Sequence, residues 1–307
     1  MANLKQLKLK RQSVIKTSKV TKAMEAVSAV KMRKSQERAL AGRPFAETAL
    51  DILLALSSRA DKLDLKYMKS NKCDKLGLIL ISSDKGLAGA LNSSVLKKAS
   101  EFIEKNGTQN IKAIAIGKKA NDFFTLQGVE VILFKENKKD DIDLQDSQEI
   151  LDIIKKEFRE EKVGSWTAIY MNFVSTFEQN AISRQILPLN TKEYQALISD
   201  IIPNKGKYSE LKDEENSGPQ AKYIIEAQDK EEILESLADA LINVFLHHAM
   251  LEHKASEHSA RMVAMKSATD KAKELAHELK LKFNKARQAA ITREVSEITS
   301  GVEAMKD

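Results

Sequence analysis

The chain has 307 residues and a formal net charge of +6, with one cysteine and only 5% aromatic residues. The single cysteine, Cys73, excludes an internal disulfide and a cysteine-based zinc cluster, and fits a reducing, cytosolic compartment. No apolar run approaches the roughly 18 residues that a membrane-spanning helix needs, and the basic first residues lack the apolar core of a secretory signal.

The first segment is predicted to be one long helix from about Leu4 to about Ser57, within a shaft segment of residues 1–57. No glycine or proline interrupts it before Gly42, and its length would be roughly 80 Å at the rise per residue of an α-helix. Small apolar residues step by three and four, as in a coiled-coil seam. The predicted seam residues are Val20, Ala23, Val27 and Val30.

The positive charge is concentrated in this first segment. Met1 to Arg43 contain twelve Lys and Arg residues and two acidic residues, a net charge of +10 against +6 for the whole chain. A partner with negative charge is therefore expected to meet the first helix.

The middle of the chain, residues 75–190, alternates short apolar strands with amphipathic helices. Such alternation predicts a doubly wound α/β (Rossmann-like) domain with a largely parallel sheet. The predicted strands are Leu76–Ser83, Ile111–Ile116, Val129–Phe134, Trp166–Val174 and Ala181–Leu187. The predicted helices are about Asn92–Lys105, Lys118–Leu126 and Ser147–Glu161. Residues 203–220 are predicted to form a charged surface loop.

The last segment, 229–301, is predicted to be a second long helix of about 105 Å. Asp229 is suited to its N-cap position, and Gly301 to the position just after its end. Its predicted seam residues are Met262, Met265, Thr269, Ala272, Ala276, Leu279, Phe283, Ala286 and Ala290. Because a helix of this length is not held by propensity alone, we expect it to pair with the first helix as an antiparallel coiled coil.

The candidates for chemistry are weak. The turn from Ser82 to Asn92 follows the first strand, where nucleotide loops lie, but it matches neither the P-loop nor the dinucleotide fingerprint, which favours a tight turn over a nucleotide site. His248, His253 and His258 are five residues apart, so they do not share a helix face and do not suggest a metal site. We expect these histidines at solvent or at an interface, and no catalytic residue and no cofactor.

A basic coiled coil could also bind nucleic acid, since phosphate contacts need only a high density of Lys and Arg. Base stacking would require aromatic side chains, however, and the first of these is Phe45. From charge alone, an acidic protein partner and a nucleic acid therefore remain alternatives.

Four stretches resemble the gamma subunit of the rotary F-type ATP synthase. They are Ser256–Asp270 (SEHSARMVAMKSATD) with Asn284–Glu294 (NKARQAAITRE), the segment Thr21–Lys34, and the turn Ser83–Asn92. The resemblance covers both long helices and the domain between them. It implies a non-catalytic central rotor that couples rotation of the membrane c ring to the catalytic cycle of the beta subunits.

The resemblance also implies partners and contact residues. The partners would be the alpha and beta subunits of the catalytic ring, the epsilon subunit and the c ring, at the cytoplasmic face of the cell membrane, with no nucleic acid and no directly bound nucleotide. The residues similar to the family's beta-subunit contact and coupling positions are Met24, Arg261, Arg287, Gln288, Thr292, Glu294 and Glu297. Tyr223 and Glu226 resemble the contact with the c ring. An apolar sliding surface is expected at Ala289, Ala290, Ile291, Val295, Ile298 and Val302.

Overall fold

A computed structural model of the chain describes residues 2–42, 44, 45, 48, 67, 71, 73–140, 142–189 and 230–305. The predicted surface loop at 203–220, the c-ring residues Tyr223 and Glu226, and the predicted N-cap Asp229 lie outside the described residues. So does most of the predicted helix beyond Gly42.

The described elements are a long helix at each end of the chain and an α/β segment between them in the sequence. In chain order they are α1 (Ala2–Ala41), β1 (Leu76–Ile81), α2 (Leu91–Asn106), β2 (Ile111–Ile116), α3 (Lys118–Gln127), β3 (Glu130–Lys135), α4 (Leu144–Arg159), β4 (Ser165–Ser175), β5 (Glu178–Leu187) and α5 (Lys230–Ala304). The chain divides into two units, each with residues from both α1 and α5. Unit 1 comprises Met1–Ser28 and Arg261–Asp307, and unit 2 comprises Ala29–Ala260.

Unit 2 is built on a five-stranded sheet in the order β3-β2-β1-β4-β5. The first four strands in this order run parallel, and β5 pairs with β4 in the antiparallel direction. The apolar runs of β1 and β2, interrupted only by Lys112 in β2, are explained by burial on both faces, as expected for central parallel strands. The predicted doubly wound α/β domain is confirmed.

Helices cover both faces of this sheet. On one face, α2 and α3 contribute Val95, Ala99 and Phe124 to a core with β1 and β2. On the other face, α4 and the unit 2 part of α5 pack side chains such as Ile154 and Phe245 against the sheet. Ala39 and Leu40, near the end of α1, pack against the same second core.

Unit 1 is a pair of helices joined by a polar layer. The hydroxyl groups of Thr21 and Thr269 lie 2.7 Å apart in a buried hydrogen bond. The α1 positions that are buried or half-buried in unit 1 include Leu4, Leu7, Arg11, Val14, Ser18, Thr21, Glu25 and Ser28. They follow the three-and-four spacing of an antiparallel pair with the α5 seam, and all nine predicted α5 seam residues are buried or half-buried.

The predicted seam of α1 was wrong. Val20, Val27 and Val30 are 58%, 53% and 68% exposed, and Ala23 is exposed as well. The true seam combines Leu4, Leu7 and Val14 with the hydroxyl residues Ser18, Thr21 and Ser28. A hydroxyl can bond to a carbonyl of its own helix and so needs no apolar surroundings. Thr21, for example, donates to the Ser18 carbonyl at 3.1 Å.

The end of α5 has a different environment from the paired part. Thr21 of α1 lies opposite Thr269 of α5. Because the two helices are antiparallel, the start of α1 at Ala2 then lies opposite Gln288. From Ile291 to Glu303 every described side chain is exposed. Gly301, predicted to follow the helix, lies inside α5, since the helix continues to Ala304. That prediction was wrong because an exposed glycine only weakens a helix and does not end it.

Replacing Gly301 with alanine should therefore stabilise the end of α5. A methyl group at this position would meet no other atom within 4 Å, and alanine is favoured over glycine in a helix by about 1 kcal/mol. Hydrogen exchange of the amides around residue 301 in the full chain should slow by up to about fivefold. Ala289→Gly, the reverse change at an exposed position, should speed local exchange, and faster exchange in Gly301→Ala would contradict the assignment.

Candidate functional site

The predicted contact residues near the end of α5 are all accessible. Arg287, Gln288, Thr292, Glu294 and Glu297 are exposed. Thr292 donates to the Gln288 carbonyl of its own helix at 3.0 Å, so these two lie on one face. The seven-residue spacing places Arg287 and Glu294 on another face.

Glu297 is the member of this group with an ion pair in the structure. Its Oε1 accepts from Arg293 Nε at 2.8 Å, one helical turn earlier, and both side chains are well exposed. A pair of this kind contributes only a few tenths of a kcal/mol to the helix. The five predicted residues thus do not form one cluster but lie on several sides of α5.

The expected sliding surface lies in the same part of α5. Ile291, Val295, Ile298 and Val302 are 50%, 56%, 67% and 52% exposed. Their spacing of four, three and four residues puts them on one side of the helix. Ala289 is exposed, and Ala290 is half-buried at the end of the seam. Within the described part of unit 1, this apolar side of α5 remains open to solvent.

The two predicted coupling positions belong to the paired part of unit 1. Met24 is half-buried on α1. Arg261 is only 8% exposed, so most of its side chain is packed within the chain. The large apolar side chains of α1 that are exposed in this unit are Leu9, Val20 and Val27, on the side away from the seam. The sequence prediction missed this outer side because it assigned two of these residues to the seam.

The turn considered for nucleotide binding is occupied by its own polar groups. Asp84 Oδ1 accepts from the Lys118 amide at 2.7 Å, so a carboxylate already lies at the N-terminus of α3, where a phosphate would bind. Ser83 Oγ donates to the Lys85 carbonyl at 2.7 Å, and Asn92 Nδ2 donates to Ser83 Oγ at 2.7 Å. The structure therefore favours the tight-turn interpretation.

A polar face of α5 covers the carboxyl end of β4. Strand β4 extends beyond β1, which leaves backbone groups of Met171 without a partner strand on that side. The Met171 amide donates to His253 Nδ1 at 3.4 Å, and Ser256 Oγ donates to the Met171 carbonyl at 3.3 Å. Ser259 Oγ donates to the Thr176 carbonyl at 2.6 Å. The buried polar residues of α5 thus satisfy backbone groups that the sheet cannot pair.

The expected location at solvent or at an interface was therefore wrong for three of the histidines. His248, His253 and His258 are 4%, 0% and 3% exposed. Burial lowers the pKa of His253 to about 4; the nearby Glu257 charge opposes this change and Lys254 adds to it. Among the described residues, no group of three or more His, Cys, Asp or Glu side chains is arranged to hold a metal ion.

Comparison with known proteins agrees with the sequence resemblance. The family model described as ATP synthase matches residues 3–305. The ATP synthase gamma chain of Paraburkholderia phymatum is 36% identical to this chain, over 99% of this chain and 100% of that protein. The chain belongs to the ATP synthase gamma chain family. The gamma chain of Heliobacterium modesticaldum, 31% identical over 99% of this chain and 100% of its own length, is another relative.

Solved structures support the gamma-chain fold. A chain of the Euglena gracilis mitochondrial ATP synthase matches with a TM-score of 0.65 and 17% identity, over 99% of this chain and 95% of that one. A chain in the central stalk and c-ring structure of the Tetrahymena thermophila enzyme matches with a TM-score of 0.55 and 18% identity, over 81% and 99%.

Family membership confirms the predicted central-stalk role. A gamma chain is a non-catalytic subunit in the peripheral sector of its enzyme, and the nucleic-acid alternative gains no support. None of the helices in the described ranges of this gamma-family chain is long and apolar enough to span a bilayer.

Proposed function

We propose that this gamma-family chain is the rotating shaft of an F-type ATP synthase. The helix pair of unit 1 turns inside a ring of three alpha and three beta subunits, and its rotation changes the conformations of the catalytic beta subunits in turn. The observation that supports this most strongly is the end of α5, which is exposed on every side while the preceding seam is paired. A free helix with contact residues on several faces suits a ring that surrounds it.

The paired part of unit 1 supplies the stiffness that a shaft needs. Small seam residues such as Ser18, Thr21 and Ala272 allow the two helices to approach closely. Two helices in close contact resist bending and twisting better than one, because their side chains must slide past each other before the rod deforms. This requirement explains why so much of the seam is small.

The ring contacts are assigned to two regions. Near the end of α5, Arg287, Gln288, Thr292, Glu294 and Glu297 provide polar contacts with a beta-subunit loop, beside the apolar sliding surface. Farther along the pair, Met24 and Arg261 lie at coupling positions near an acidic part of the beta subunit. The +10 charge of the first segment favours such an acidic partner.

The α/β domain of unit 2 helps to form the foot of the rotor. Its partners are the epsilon subunit and the c ring, with Tyr223 and Glu226 as c-ring contacts. The assembled enzyme would hold the chain peripherally at the cytoplasmic face of the cell membrane. These assignments rest on the family resemblance.

Arg287→Ala should weaken assembly with the alpha and beta subunits. A charged hydrogen bond is worth about 1.5–3 kcal/mol, so its loss should weaken binding by about tenfold or more. The dissociation constant of the full chain for the alpha/beta ring, measured by titration at constant salt, is the test. Lys285→Ala removes a nearby exposed charge outside the assigned group and is the control. Equal affinities for Arg287→Ala and the wild type would refute the assigned contact.

A further inference from the structure

The loop between β3 and α4 is attached to one face of α5 at three points. Lys254 Nζ donates to the Asn137 carbonyl at 2.5 Å, His258 Nε2 lies 3.0 Å from Asp140 Oδ1, and His247 Nε2 donates to the Ile142 carbonyl at 3.0 Å. The three α5 residues are seven and four positions apart, a spacing that aligns them on one side of the helix. We call loop residues 136–140 and 142 the collar.

The collar also holds the end of α1. Lys31 Nζ donates to Asp140 Oδ2 at 2.6 Å, so each oxygen of this carboxylate faces a basic residue of a different helix. Arg38 Nη1 donates to the Asp140 carbonyl at 3.5 Å. Burial would raise the pKa of Asp140, but the Lys31 hydrogen bond and the charges of His258 and Lys254 outweigh it and lower that pKa. Asp140 therefore remains a carboxylate between α1 and α5.

The other end of the collar is fixed to the sheet. Asn137 is only 6% exposed, and its Nδ2 donates to the Ser82 carbonyl at the end of β1 at 2.8 Å. Ser82 Oγ in turn accepts from the Ala120 amide at the start of α3 at 2.8 Å. A continuous path of hydrogen bonds thus runs from the two helices through the collar into the centre of the α/β domain.

Hydrogen bonds and apolar contacts resist a twisting force differently. Torque about a helix axis acts as shear between the helix surface and the domain around it. Closely packed side chains resist sliding because they interdigitate, but the hydrophobic effect itself has no preferred direction. Hydrogen bonds and ion pairs weaken steeply when their geometry changes, so the polar attachment points add a directional resistance to shear.

We propose that Asp140 is a positioning residue for torque transmission, because its carboxylate locks the unit 2 segments of α1 and α5 to the α/β domain so that they turn together. This inference rests on the proposed rotor function. It assigns to the collar a mechanical role that the ring contacts cannot supply, since those contacts act on unit 1.

The test uses Asp140→Ala in the fully assembled enzyme. A bead is attached to the α/β domain through Lys97→Cys in a Cys73→Ser background, and its angular fluctuations are recorded while the catalytic ring is stalled without ATP. We expect the angular variance to rise severalfold, and proton pumping per ATP hydrolysed to fall. Asp140→Glu, which keeps the charge, should restore most of the stiffness. Asp122→Ala removes an exposed carboxylate from α3 and should behave as wild type.

The outcomes separate this inference from the proposed function. If the assembled Asp140→Ala enzyme rotates with unchanged angular variance, the proposed role of Asp140 is refuted, while the proposed rotor function still holds. If a bead attached to the enzyme with Asp140 unchanged never rotates during ATP hydrolysis, the proposed function is refuted instead. If Asp140→Ala fails to assemble, Lys31→Met removes one partner of the carboxylate and spares the buried residues. Unchanged variance in that variant would equally overturn the proposal.

Discussion

Gly77→Ala should destabilise the α/β domain by about 3 kcal/mol, the upper range for an overpacked core. Gly77 lies in β1 directly opposite Trp166 of β4. A methyl group at position 77 would lie 2.2 Å from two carbon atoms of the indole ring. Trp166 is fully buried and cannot move aside without disturbing its neighbours. The sheet therefore needs glycine here for space.

Urea unfolding followed by tryptophan fluorescence measures this effect directly, since Trp166 is the single tryptophan of the chain. Gly86→Ala is the matched control, because a methyl group at that position meets no atom within 4 Å. The unfolding midpoint of Gly86→Ala should stay near that of the wild type. An equally small change in Gly77→Ala would show that Trp166 does not pack against β1 as described.

Lowering the pH from 7 to 4 should decrease the free energy of unfolding of unit 2 by about 3 kcal/mol through the protonation of His253 alone. The folded chain keeps this imidazole neutral, with its pKa lowered to about 4 by burial, whereas the unfolded chain protonates it near pH 6.5. The unfolded state therefore binds more protons between these values. The contribution of His253 is complete above pH 6.5, decreases as the pH falls and is lost near pH 4.

The comparison of His253→Gln with the wild type isolates this effect. The variant should be less stable at pH 7, but the difference in unfolding free energy should shrink as the pH is lowered from 6.5 to 4. His277→Gln changes an exposed histidine and should leave the pH profile unchanged. Parallel profiles for His253→Gln and the wild type would mean that His253 titrates normally in the folded chain.

The strands and the helix pair were predictable for simple physical reasons. A parallel strand buried on both faces is largely apolar, so β1, and β2 apart from Lys112, are visible as short apolar runs. The seam of α5, from Met262 to Ala290, was visible because its residues are apolar or small at coiled-coil spacing. In both cases one side-chain property is sufficient to identify the buried face.

The seam of α1 was not predictable by the same rule. Its inner side carries Ser18, Thr21 and Ser28, while Val20 and Val27 face outward. A search for apolar spacing therefore finds the side that is exposed in this chain. Exposed valines opposite a partly polar seam are expected when one side of a helix contacts its partner helix and the other side contacts a surrounding ring.

The buried polar face of α5 was missed for a related reason. Lysine is mostly exposed and histidine is intermediate in burial, so the sequence alone does not place Lys254 and His258 in the core. Lys254 Nζ donates to the Asn137 carbonyl, and His258 Nε2 lies 3.0 Å from Asp140 Oδ1, so both basic groups face oxygens of the collar. Such pairs are distant in sequence and leave no local pattern. The contact residues of the α5 end, by contrast, came from the family resemblance, and only the assembled enzyme can test them.

The central claim is tested most directly by watching the chain rotate. The full chain is assembled with the alpha and beta subunits of its own enzyme, the ring is fixed to a surface, and a bead is attached to the α/β domain. With ATP, the bead should turn in one direction, and it should stop when ATP is removed. ATP hydrolysis by the assembled complex with a bead that never turns would contradict the account.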